Sequence, residues 1–160
     1  MQLRTEIEIE AAPEQVWSVL ADFPRYNEWN PFIVRAKGEL VRGQRIEVML
    51  SMPESNREMT FRPELVVVDP ARELRWKGRL LVPGLFDGEH FFQLSEAAPR
   101  RTRFVHGENF SGIFVKFMGR TLTHTSRGFV YMNQALKRRV EGHPPAAPPE
   151  ERERAGRAAR

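Results

Sequence analysis

The chain of 160 residues contains no cysteine. Disulfide bridges, thiolate metal sites and a cysteine nucleophile are therefore excluded. No apolar run approaches the ~18 residues needed to cross a bilayer. The first ten residues are charged and alternate in polarity, unlike a signal peptide. With 41% hydrophobic and 29% charged residues, the composition is typical of one soluble globular domain, and a cytoplasmic location is the simplest expectation.

Most of the chain also lacks an excess of charge of one sign. The formal net charge is +4, but residues 137–160 hold seven basic and four acidic residues and so carry +3 of it. A nearly neutral body is a weak footprint for nucleic acid, and we expect no such partner. Residues 143–160 contain no aliphatic side chain larger than alanine. Such a segment cannot offset its ordering entropy, so the sequence predicts a domain over 1–142 and a disordered tail over 143–160.

Alternation of apolar and polar residues predicts seven strands. In residues 2–10 every second side chain is apolar or threonine, which is typical of a half-buried strand. Similar patterns separated by turn residues cover residues 32–40, 46–52, 58–68, 74–80, 86–95 and 101–111. The short turns favour antiparallel pairing. Pro63 lies inside one of these segments, so we expect it at an edge or a bulge.

Two short helices and one long helix complete the predicted fold. Pro13 begins the first short helix, Asp22 caps the second, and the second ends before Pro31. The long helix is predicted from Ile113 to Glu141 because a stripe about 60° wide collects its apolar and threonine side chains. That stripe contains Phe114, Met118, Thr121, Thr125, Phe129, Met132 and Leu136. One sheet and one long helix must bury their apolar faces together, which predicts an α+β fold with a seven-stranded antiparallel sheet curved around the C-terminal helix.

Three parts of the sequence support a family resemblance. They are PEQVW at 13–17 with DF at 22–23 and YNEWNPF at 26–32, HGENF at 106–110, and GFVYMNQALK at 128–137. With the order of elements, they resemble bacterial polyketide cyclase/dehydrase-like members of the SRPBCC superfamily, which includes START lipid-binding domains and birch-pollen-type allergens. The resemblance implies a helix-grip fold over residues 1–142. It also implies a cavity between sheet and helix that takes an apolar or amphipathic small molecule.

Strand parity predicts which polar side chains face that cavity. Phe92 sets the inward face of the sixth strand, and His90 shares it. Phe104 sets the inward face of the last strand, which His106 and Glu108 share.

The hairpin register then predicts how close these side chains lie. If Leu94 pairs with Thr102, His90 lies directly opposite His106, with Cβ atoms ~4.5–5.5 Å apart. His90, His106 and Glu108 then converge on one polar spot.

Three interpretations of this spot remain open. The three side chains satisfy each other and a buried water, or they orient a polar group of a ligand. In the third, they bind iron or zinc or act as acid/base catalysts. No tight metal-ligand motif supports the metal, and we expect neither a metal nor a cofactor. The sequence also lacks a phosphate-binding loop and a Ser-His-Asp elbow.

The other expected lining residues are apolar or helical. They are Trp76, Phe92, Phe104, Phe110, Met118, Thr121, Thr125 and Phe129. The two threonines bond their own helix carbonyls or face the ligand. Gly128 leaves room for a ligand or permits close contact with the sheet.

The leading functional prediction is a non-catalytic binder of a lipid, quinone-like or polyketide-like molecule. The second is a cyclase/dehydratase-like enzyme in which His90, His106 or Glu108 moves a proton in the same cavity. The third is a protein-interaction adaptor that keeps the fold without a working pocket.

Overall fold

The computed structural model describes residues 1–52, 57–79, 87–112 and 119–142. Its elements are β1 (Gln2–Ile9), α1 (Pro13–Leu20), α2 (Tyr26–Trp29), β2 (Ile33–Lys37), β3 (Glu47–Met52), β4 (Arg57–Phe61), β5 (Glu64–Asp69), β6 (Glu73–Arg79), β7 (Asp87–Ala98), β8 (Arg101–Ser111) and α3 (Gly119–Val140). None of the helices in these ranges is both long and apolar enough to span a membrane.

All strand pairs are antiparallel, and they form two sheets that curve around α3. One sheet has the order β1-β8-β7-β6-β5 and the other has the order β2-β3-β4. The sheets meet where Arg45 and Glu64 form an isolated bridge. The Ile46 N–H donates to the Pro63 carbonyl at 3.0 Å near this bridge.

The described strands number eight, which corrects the prediction of seven. The segment predicted as one strand over residues 58–68 forms β4 and β5, which belong to different sheets. Pro63 lies between them. Proline has no backbone N–H to donate to a ladder, so the pairing breaks there and the chain passes from one sheet to the other.

The two short helices lie between β1 and β2, as predicted. The second consists of a 3₁₀ turn, Phe23–Arg25, that leads directly into α2. The Tyr26 hydroxyl donates to the buried Leu20 carbonyl at 2.6 Å and fixes this turn against α1. Asn30 Oδ1 accepts from the N–H groups of residues 32 and 33 at 3.0 and 2.8 Å, which ends α2 and starts β2.

The described part of the predicted long helix is α3, and it buries the predicted face. Phe129, Met132 and Leu136 are fully buried against the sheets. Residues 113–118, with Phe114 and Met118 of the predicted stripe, lie outside the described residues.

Gly128 permits close contact between α3 and the segment that leads into β2. The Phe32 ring occupies the space that a Cβ at position 128 would need. It also packs edge-on against Phe129 at 5.6 Å between ring centroids. Close packing is therefore the role of this glycine in the structure.

Candidate ligand-binding site

The β7–β8 hairpin places the predicted polar residues on its inner face, in a different register from the predicted one. His90 pairs with Glu108, and His106 pairs with Phe92. The prediction that His90 lies directly opposite His106 is therefore wrong. The loop contains only residues 99 and 100, the second with a left-handed φ of 58°, so the hairpin closes more tightly than predicted. The shift is an even number of residues, which leaves the inward face unchanged.

A continuous set of hydrogen bonds joins five side chains from three strands and α3. His106 Nε2 lies 2.8 Å from His90 Nε2, and His106 Nδ1 lies 2.9 Å from Asn133 Oδ1. Asn133 Nδ2 donates to Thr5 Oγ1 at 2.9 Å. At the other end, His90 Nδ1 lies 3.5 Å from Glu108 Oε2, the longest of these contacts. We call Thr5, Asn133, His106, His90 and Glu108 the polar network.

Aromatic rings enclose the two histidines. Trp76 stacks on His90 with ring centroids 4.9 Å apart and planes within 5°. Phe129 stacks on His106 at 3.9 Å, and Phe92 contacts both imidazoles at 4.9 and 4.6 Å. These aromatic rings exclude water from the imidazole faces that they contact. The two imidazoles therefore lie in an environment of low dielectric.

Burial sets the protonation of the network. It lowers the pKa of His90 to about 3. Burial, with the neighbouring His90 as the next cause, holds the pKa of His106 well below 6.5. Burial raises the pKa of Glu108 to about 8. Near neutral pH the network therefore consists of two neutral imidazoles and a protonated carboxylic acid.

The sheet register aligns the site in one row across five strands. Leu65, Trp76, His90, Glu108 and Leu3 are successive cross-strand partners on β5, β6, β7, β8 and β1. The row lies near the end of the sheet where β6 ends and β7 begins. Polar side chains thus occupy the middle of an otherwise apolar row.

The remaining predicted lining residues are placed as follows. Phe92, Phe104, Phe110, Thr125 and Phe129 are buried, as is Trp76. Phe92 stacks on Phe104 at 5.8 Å, so these two rings support the network from within the core. Met118 and the Thr121 side chain lie outside the described residues.

The histidine pair does not have the geometry of two ligands on one ion. Two imidazole nitrogens on a tetrahedral zinc at ~2.0–2.1 Å would lie about 3.3 Å apart. The two Nε2 atoms lie 2.8 Å apart, which is a hydrogen-bond distance.

Thr5 and Asn133 are members of the network that the sequence analysis missed. Thr5 lies on the inward face of β1, which also carries the apolar side chains of Leu3 and Ile7. Asn133 follows Phe129 by one turn and is 2% exposed. A polar residue on an apolar face is the signal that identifies both positions, because buried polar groups need partners.

The order of elements, the antiparallel strands and the α3 helix against them define an α+β protein that fits the helix-grip fold. A family model described as polyketide cyclase / dehydrase and lipid transport matches residues 1–141. The chain therefore belongs to this family, and the resemblance to the SRPBCC superfamily is confirmed.

Solved structures share the fold. ZhuI aromatase/cyclase from Streptomyces sp. R1128 is 18% identical, with a TM-score of 0.68 over 88% of this chain and 93% of that chain. A START superfamily protein from Mycobacterium smegmatis is 18% identical, with a TM-score of 0.61 over 88% and 97%. CalU16 from Micromonospora echinospora is 22% identical, with a TM-score of 0.63 over 95% and 80%. These similarities show the fold alone. No curated protein matches the sequence.

Proposed function

We propose that the protein binds a hydrophobic or amphipathic small molecule of the lipid, quinone-like or polyketide-like kind. The ligand contacts the end of the sheet where Trp76, His90 and Glu108 form one row. The family description, which names both polyketide cyclisation and lipid transport, supports this class of ligand. The observation that carries the proposal is the exposure of Glu108. Its side chain is 18% exposed, whereas that of His90 is 6% exposed.

Glu108 thus provides the polar contact and the aromatic residues provide the apolar contact. An uncharged carboxyl group in the same cross-strand row as Trp76 is the kind of polar feature that orients a ligand in an apolar site. Burial of apolar ligand surface at roughly 25 cal/mol per Å² supplies most of the affinity, and the polar group selects the orientation.

A titration with a fluorescent naphthalenesulfonate and a fluorescent fatty acid tests binding. Trp76→Leu is expected to weaken binding about tenfold through lost ring contact, and His106→Ala is expected to weaken it less and to blur selectivity. Tyr131→Ala is the matched control, because this aromatic residue of α3 is 41% exposed. If no probe binds, the adaptor hypothesis replaces this proposal.

A cyclase/dehydratase-like activity is the second candidate, and the protonated Glu108 favours it. A general acid works best with a pKa near the operating pH, and burial raises the pKa of Glu108 to about 8. His90 lies next to it in the polar network, with Nδ1 3.5 Å from Glu108 Oε2.

Native mass spectrometry of protein from its own host distinguishes binder from enzyme. A binder returns its captured ligand unchanged after incubation. An enzyme of the dehydratase kind releases a product lighter by one water, and Glu108→Gln abolishes that change while the ligand still binds.

A further inference from the structure

We propose that the site accepts a ligand hydroxyl group in preference to a carboxylate, and that Asn133 is the positioning residue that sets this preference. The inference rests on the proposed binding function and names the chemistry of the ligand's polar group. It follows from which atom carries the proton in each hydrogen bond of the polar network.

The proton positions are determined at the end of the network where the His106 ring contacts α3. Asn133 Oδ1 lies 2.9 Å from His106 Nδ1. A carbonyl oxygen can only accept, so Nδ1 carries the proton. The Asn133 amide is held in this orientation because its Nδ2 donates to Thr5 Oγ1, whose hydroxyl donates to the His106 carbonyl at 3.2 Å.

The proton on His106 fixes the proton on His90. A neutral imidazole has one N–H, so His106 Nε2 is an acceptor. His90 Nε2 lies 2.8 Å away and must be the donor. His90 Nδ1 is then a buried acceptor that faces Glu108 and requires a donor. The protonated carboxyl of Glu108 supplies it from Oε2.

The polar network therefore offers a ligand hydrogen-bond acceptors rather than donors. Oε1 of Glu108 lies over Gly88, where a Cβ would collide with it. This oxygen keeps its lone pairs once the proton is on Oε2. A ligand O–H can donate to Oε1 without disturbing the contact from Oε2 to His90 Nδ1. A ligand hydroxyl group therefore extends the network by one hydrogen bond.

A ligand carboxylate fits this site less well than a ligand hydroxyl group. It brings acceptors only, and it brings a negative charge into a site where burial raises the pKa of a carboxyl group already present. Within the described ranges, no lysine or arginine hydrogen-bonds or ion-pairs with the side chains of the polar network. Among these described residues nothing compensates the anion, whereas a phenol or alcohol enters neutral.

The test compares 1-naphthol with 1-naphthoate, which share one apolar body and differ in the polar group. At about pH 6.5, where Glu108 is protonated and naphthoate is ionised, the wild type is expected to bind naphthol at least about tenfold more tightly. Glu108→Gln is expected to keep this preference, because the amide N–H replaces the acid O–H and its carbonyl replaces Oε1. Glu108→Leu removes both groups and is expected to lose most of the preference.

The role of Asn133 has its own spectroscopic signature. Imidazole ¹⁵N spectra are expected to show His106 protonated at Nδ1 and His90 protonated at Nε2. Asn133→Leu is expected to lose this tautomer pattern together with the naphthol preference. Asn133→Asp still presents an oxygen to Nδ1 and is expected to retain the His106 Nδ1–H.

Each result bears on one step. Binding of naphthoate as tight as that of naphthol overturns the hydroxyl preference and leaves the proposed binding function in place. A wild-type His106 protonated at Nε2 overturns the role of Asn133. Failure of both probes to bind overturns the binding function and the inference with it.

Discussion

The Nε2 atoms of His90 and His106 lie 2.8 Å apart, although the two residues are diagonal neighbours rather than direct partners on β7 and β8. One proton must lie between these atoms, because two protons would collide and two lone pairs would repel. Either imidazole can become cationic only by placing a charge among Trp76, Phe92 and Phe129. The pair is therefore a neutral unit, and acid should act on the fold through it.

Lowering the pH from about 6.5 to 5 is expected to destabilise the protein. Burial lowers the folded-state pKa of both histidines, with that of His90 near 3, whereas unfolded histidine protonates near 6.5. The unfolded state then binds more protons, and the two histidines together contribute a fall of about 3.3 kcal/mol over this window. Glu108 acts in the opposite direction by about 1.9 kcal/mol, so a net fall of about 1.4 kcal/mol over the whole window is expected.

Urea unfolding at a series of pH values measures this fall. The double variant His90→Gln/His106→Gln is the control, and its stability should no longer decrease between pH 6.5 and 5. A wild type that is equally stable at both pH values would show that the folded histidines accept protons freely, contrary to their burial.

Gly128→Ala is expected to destabilise the protein even though alanine favours helices by about 1 kcal/mol. The new methyl group meets the fully packed Phe32 ring. Overpacking of this kind costs about 1–3 kcal/mol, so the net loss should be about 1–2 kcal/mol in chemical denaturation. The double variant Phe32→Leu/Gly128→Ala should lose less than the two single changes added together. A Gly128→Ala protein that is more stable than wild type would show that the helix moves away at no cost.

The burial pattern of the fold was predictable because period and parity are local properties. The 3.6-residue period placed Phe129 and Met132 in the core, and strand parity placed His90 and His106 on one face. The register was not predictable from these patterns. It depends on the left-handed backbone of Arg100 in the two-residue loop and on the irregularity in pairing between Glu96 and Ala98, after which His90 lies opposite Glu108.

The composition of the polar network was only partly predictable. The three titratable members stood out as ionisable residues at inward positions. Thr5 and Asn133 are 128 residues apart, and only the packing of α3 against β1 joins them. No short-range pattern contains that contact, so the residue that orients His106 required the three-dimensional structure.

Removal of residues 144–160 is expected to leave the melting temperature within about 2 °C of the full chain, because a segment of this composition has little apolar surface to bury. Differential scanning calorimetry of the two chains measures this. A decrease of many degrees would show that the segment docks on the domain.

Raising the pH from about 6.5 to 8 is expected to destabilise the wild type, which places its maximum stability near pH 6.5. The folded-state pKa of Glu108 is raised by burial to about 8, against an unfolded value near 4.3. The stabilisation associated with the protonated carboxyl is complete below the unfolded pKa and is lost as the pH rises through the folded pKa. Over this window Glu108 contributes a loss of about 1.6 kcal/mol and deprotonation of the two unfolded histidines returns about 0.8 kcal/mol, so the net loss should be about 0.8 kcal/mol.

Glu108→Gln isolates this effect, because glutamine keeps the size and the hydrogen bond to His90 but does not titrate. The variant should gain about 0.8 kcal/mol of stability between pH 6.5 and pH 8 from the two histidines. Its fall toward pH 5 should be steeper than that of wild type, since the opposing contribution of Glu108 is gone. Leu3 of β1 and His90 of β7 are the cross-strand partners of Glu108, and neither carries a charge in this window. Two results would show that Glu108 is ionised in the folded protein: a wild-type stability that does not fall above pH 6.5, or a Glu108→Gln stability that falls as steeply as that of wild type between pH 6.5 and pH 8. Either result would contradict the proton positions assigned to the network.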